Sequence, residues 1–167
     1  MYHIERKNTM PVIYLETKIK AKIGICFDLS RSIDLHQIST AKSNEKAVNG
    51  KTNGLIQQDE FVTWQAIHFG IKQKLSSRIT QFERPFHFRD EQIKGAFKYI
   101  IHDNYFESKR DITIMKDNFK FESPYSFAGK IFDKMILTNY MTKLLLERNQ
   151  VIKEYAETDK WKLILHD

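Results

Sequence analysis

The strongest constraint on this chain is a change of period partway along it. From Phe61 to Phe121 apolar and polar residues alternate in short runs, and from Phe127 to about Ala156 the spacing becomes helical. Period-two runs joined by brief turns fold as consecutive antiparallel strands, because a parallel partner needs a long crossover. The helical stretch holds thirty residues and no interior proline. At full length it would span about 45 Å. Its broad apolar stripe needs a broad apolar partner, and the concave face of the sheet supplies one.

Each run adds detail. Pro11 to Lys20 reads as a first strand, and Ile23 to Ile38 as two short helices, the second capped by Ser30 or Ser32 with Asp34 in its first turn. Asn49-Gly50 and Asn53-Gly54 mark turns around a short strand near Ala47. Val62, Trp64, Ala66 and His68 share one strand face; Leu75, Ser77 and Ile79 share the next; Phe88 goes with Asp90, and Phe97 and Tyr99 with Ile101. Pro85 and Pro124 end strands, since proline cannot donate to a ladder. On the long helix, Ile131, Met135, Leu145 and Ile152 form one apolar edge and Leu137, Met141, Leu144, Val151 and Tyr155 the other. Glu147, Arg148, Lys153 and Glu154 mark its wetter side. The expectation is an α+β domain over residues 10–156, with about seven antiparallel strands wrapped around the helix. Residues 1–9 read as an extension without fixed structure and 157–167 as a tail.

Composition narrows the function classes. With 41% hydrophobic and 29% charged residues, 167 residues suffice for one buried core without a disulfide or metal. The most apolar window, Met135 to Leu146, is too short to cross a membrane and carries Lys143. Met1 to Thr9 has no apolar core of a secretory signal, so a reducing, cytoplasmic location is expected. Cys26, the single cysteine, reads as a small buried hydrophobe. The net charge of +6 is spread among acids in no long like-charge run, which argues against nucleic acid as partner. The six histidines show no metal-ligand spacing and the six glycines no phosphate loop, so neither metal nor cofactor is expected.

The order of elements resembles the helix-grip fold of the START-like superfamily, which includes the SRPBCC and polyketide cyclase/dehydrase-like proteins. The stretch from Phe61 through Trp64 and His68 to Ile71, then Ser77 to Phe82 with Pro85, is similar to small bacterial members of that group. So are Phe88 with Asp90, Gly95-Ala96-Phe97, His102 with Phe106, Thr113 with Met115 and Asp117, and Arg148-Asn149. The resemblance covers Pro11 to Ala156 and implies a ligand cavity between sheet and terminal helix; it does not fix the chemistry.

Candidate ligand contacts are Trp64, Ala66, His68, Phe88, Asp90, Phe97 and Tyr99 from the strands, with Met135, Leu137, Tyr140 and Met141 from the helix. His68 and His102 are the sharpest polar candidates, and His68 is the candidate general base if the chain is an enzyme. Three function classes stay open: a carrier of an apolar or amphipathic small molecule (a lipid, isoprenoid, quinone or polyketide-like ring system), a cyclase or dehydratase working in the same cavity, and a protein- or membrane-interaction module. Oligomeric state is not legible.

Overall fold

The computed structural model describes residues 2–4, 11–122 and 134–165, with residues 2–4 and 134 as backbone. Eight strands form one sheet: β1 (Tyr2–Ile4), β2 (Val12–Ile19), β3 (Lys46–Gly50), β4 (Phe61–His68), β5 (Ile71–Glu83), β6 (His87–Lys94), β7 (Tyr99–Lys109) and β8 (Ile112–Glu122). Their spatial order is β1-β2-β8-β7-β6-β5-β4-β3, every neighbouring pair antiparallel. From β3 to β8 the chain is a plain meander, as alternation with short turns requires. β8 then lies beside β2, so the first strand read from sequence pairs with the last. The edge strand β1 falls within the stretch read as an extension, pairing Tyr2–Ile4 with Leu15–Ile13. Two register shifts in β5, at Ser76/Ser77 and Ile79/Gln81, bend the sheet.

Helices α1 (Ile23–Ser30) and α2 (Ile33–Ser39) separate β2 from β3. Ser32 caps α2 by accepting the Leu35 N–H at 3.2 Å, one of the two caps expected. The Phe27 ring meets Phe82, Phe88 and Phe106 edge-on at 5.3–5.4 Å between centroids, closing one end of the sheet's inner face. Asp28 beside it binds Arg31 (2.7 Å) and Arg84 (2.6 Å), and Arg31 also donates to the Ile56 carbonyl. That linkage ties α1 to the loop before β4 and to the β5–β6 turn.

The last helix, α3, runs Lys134–Ala156 over 23 residues. The start expected at Phe127, and with it Ile131, lies outside the described residues. α3 packs against α1, α2 and β2 and stands off from β4–β7. Trp161, Ile164 and Leu165 of the tail pack back on the core from a short 3-10 turn, Asp159–Leu163. Among the described residues no helix is long and apolar enough to cross a membrane.

Candidate functional site: a cavity with two polar ends

The space between α3 and the middle strands is a cavity of about 230 Å³. Alternation along β4 points Trp64, Ala66 and His68 into it, and Phe88 of β6 follows. Phe97 enters from the β6–β7 turn, and Leu137, Tyr140 and Met141 enter from α3 at helical spacing. Eight of the eleven expected ligand contacts thus line one hollow.

Three do not. Met135 is 51% exposed, because it precedes the helix face that Leu137 and Met141 share. Tyr99 points away: Phe97 belongs to the turn rather than the strand, so the β7 face that looks inward is Ile100, His102, Asn104 and Phe106. Asp90 is on the expected side but enclosed within the sheet, opposite Ile79 on one flank and His102 on the other. Its Oδ1 has no hydrogen-bond partner among the described residues, and burial raises its carboxyl above the ordinary value against Ser77, His102, His36 and Arg148.

The inner end of the cavity is polar and closed. His102 Nε2 stands 2.8 Å from Asp117 Oδ1, and Asn149 Nδ2 donates to Asp117 Oδ2 at 2.6 Å. Arg148 donates from Nη1 to Asp117 Oδ1 at 3.3 Å, and from Nη2 to Asn104 Oδ1 at 3.0 Å and the Ser30 carbonyl at 3.1 Å. Burial pushes the Asp117 carboxyl up, but His102, Arg148 and Asn149 more than reverse this and hold it below its ordinary value. Burial also lowers Arg148, with Asp117 and Asp90 opposing. His102, Asn104 and Arg148 all face the cavity. In its neutral form His102 donates from Nε2 to an anionic Asp117 and keeps Nδ1 as an acceptor.

The sequence reading places Arg148 on the wet side of the helix, and the structure overturns this: it is 8% exposed and Asn149 is 2% exposed. A signal was there. Leu137, Met141, Leu145, Arg148 and Ile152 keep a spacing of three and four, the stripe of one helix face. An arginine in such a stripe asks for a buried carboxylate, and Asp117 is that partner.

The outer end is polar and open to one side. His68 Nδ1 lies 2.8 Å from the Tyr140 hydroxyl, and the Phe69 ring meets that of Tyr140 at 4.5 Å between centroids, tilted by 45°. His36, whose ring lies 4.2 Å from that of Trp64, bonds Glu45 at 3.1 Å. Burial lowers His68 below the ordinary histidine value, partly opposed by Glu45, and burial raises Tyr140. Tyr140 precedes Arg148 by eight residues, so the two polar ends lie about 12 Å apart along the helix. Between them the walls are Trp64, Phe88, Ile100, Phe119, Leu137 and Leu145. Among the described residues no cluster of three His, Cys, Asp or Glu is placed to hold a metal ion.

No family model matches the chain, and no curated protein matches it in sequence. Solved structures do match in shape. Ginseng major latex-like protein 151 from Panax ginseng superposes with a TM-score of 0.64 at 15% identity, over 88% of this chain and 97% of that one. Ara h 8.0201 gives 0.63 at 10% identity over 87% and 96%, and CalU16 from Micromonospora echinospora 0.58 at 9% over 98% and 94%. Likeness at such low identity speaks for the backbone alone: an antiparallel sheet closed by a long C-terminal helix, the helix-grip fold.

Proposed function

We propose that this chain binds a compact amphipathic molecule, with its apolar body between Trp64, Phe88 and Leu145 and a polar group at the inner end. The observation that carries this reading is the pairing of an apolar-walled hollow with an enclosed histidine, His102, held by Asp117 at its far end. The hollow's 230 Å³ lies near the roughly 300 Å³ where small-molecule pockets begin, which favours a ring system or short isoprenoid over a two-chain lipid. Binding draws on apolar burial at about 25 cal/mol per Å², and His102 selects a ligand group that donates, such as a hydroxyl or phenol. Cys26 takes no part in it: the side chain is buried in the core and burial raises its thiol to about 11.

Native mass spectrometry of protein purified without detergent tests the reading, together with uptake of a hydrophobic fluorescent probe. A co-purified small molecule or saturable probe uptake is expected, and Leu144→Trp, which fills the lining from a partly exposed position, abolishes both. If neither is seen with the unmodified protein, the reading fails.

A second reading, a cyclase or dehydratase, rests on one feature. A histidine held by a carboxylate on one nitrogen, with the other free toward a cavity, is the arrangement of a general base and its positioning residue. It moves the candidate base from His68, whose partner is a tyrosine, to His102. Turnover of a poly-β-keto substrate that survives His102→Gln removes it.

A further inference from the structure

We infer that the open end of the cavity is a docking face for an anionic lipid surface. The β4–β5 turn, the β6–β7 turn and the first two turns of α3 meet there, supplying Phe69, Ala96 and Tyr140 to the lining. These turns, the ends of β4, β5 and β6 that flank them and the start of α3 turn large apolar side chains to solvent. Ile67, Phe69, Ile71, Ile93, Met135 and Ile136 are each between 45% and 52% exposed. A single exposed leucine or isoleucine is ordinary, whereas Phe69 and Ile71 in the lining, with Ile67 and Ile93 on the outer face of the same strand ends and Met135 and Ile136 at the start of α3, mark an interaction face at this end of the molecule.

The charge pattern selects the partner. No Asp or Glu occurs from Phe61 to Phe82 or from Gln92 to Ile101, while the rest of the chain mixes both signs. Lys72, Lys74 and Lys94 are exposed in these two stretches. α3 adds Lys143, also exposed, and carries no acid before Glu147. Lysines interleaved with aliphatic and aromatic tips, with the one carboxylate of the lining, Glu45, paired to His36, complement a bilayer with negative headgroups. The tips enter the headgroup–acyl boundary and the ammonium groups meet phosphate oxygens. The face surrounds the mouth of an apolar-walled cavity, and a bilayer is the phase in which molecules suited to that cavity dissolve.

Co-sedimentation with vesicles tests this without any ligand, so its failure is separate from failure of the cavity reading. The full chain is expected to bind vesicles of phosphatidylcholine containing phosphatidylglycerol, and phosphatidylcholine alone weakly. Binding should fall as salt shortens the Debye length from about 8 Å to about 3 Å. Lys72→Gln with Lys94→Gln lowers partitioning about five-fold per lysine. Ile67→Ser with Ile93→Ser keeps every charge and lies outside the cavity lining. It lowers partitioning at least ten-fold while probe uptake stays intact, as does circular dichroism. Lys116→Gln, on a lysine paired with Glu107, is a control that leaves binding unchanged. Equal binding to both vesicle types overturns the inference, as does binding untouched by the isoleucine changes, which would reduce it to attraction by the +6 net charge. No vesicle binding also overturns it and leaves the face to a protein partner.

Discussion

The two ends of the cavity use the same kinds of residue for different work. At the inner end a histidine, a carboxylate and an arginine are locked together, with the Asp117 side chain 0% exposed and every Asp117 oxygen engaged. At the outer end His36 and Glu45 also pair, and His68 bonds Tyr140, but the groups keep access to water. The lesson is that burial, not residue type, separates a fixed recognition element from an adjustable one. Inside, each charge depends on its partners, since solvent cannot replace them. Outside, water can take over a lost bond.

That contrast predicts unequal losses of stability. Asp117→Ala strands Arg148 and His102 in the interior and is expected to destabilise by about 3–5 kcal/mol in chemical denaturation. A loss under about 1 kcal/mol would show that the inner cluster is not closed to water. A sharper version replaces both charges. Asp117→Leu with Arg148→Met removes both members of this buried pair and should be more stable than Asp117→Leu alone by about 1–3 kcal/mol. If the two changes simply add, the pair is not coupled and the comparison collapses. At the outer end Glu45→Gln, which keeps an acceptor for His36, should lower stability by only about 0.5–1.5 kcal/mol.

The fold was largely readable because its signals are local. Alternation in Phe61–His68 and the Ser32 cap of α2 depend on neighbours in sequence, and both agree with the structure, whereas Asn49-Gly50, read as a turn beside the strand near Ala47, lies within β3 and pairs with β4. The site was half readable for the same reason. Trp64, Ala66 and His68 follow one strand's alternation, whereas Tyr99 was misplaced because the strand begins after Phe97 and the face was counted from a turn residue. The inner cluster depends on pairing between elements: Asp117 on β8, His102 and Asn104 on β7, and Arg148 on α3. Nothing local to Arg148 distinguishes a buried guanidinium from a solvated one. Only its place in the apolar stripe does, and that becomes decisive once a carboxylate across the core is known.

The smallest expected effect is a pH dependence that belongs to the outer end. Burial disfavours the charged form of His68 more than Glu45 favours it, so its folded pKa lies below the ordinary value of about 6.5. In that window the unfolded chain binds more protons than the folded one. Stability from His68 is therefore complete above about 6.5 and is lost as pH falls through its lowered folded value. Asp117 has the opposite chemistry. Its folded pKa is depressed, so its contribution is present above about 3.9 and is lost only as acid brings the pH through the folded value. Thermal melts across pH should show a shallow decline just below neutrality, then a steeper one in acid to which Asp28 and Asp103 also contribute. His68→Gln should erase the first decline and leave the second. If instead the near-neutral step persists in that variant, the outer end is as sealed as the inner one, and the distinction between a fixed and an adjustable polar end is wrong.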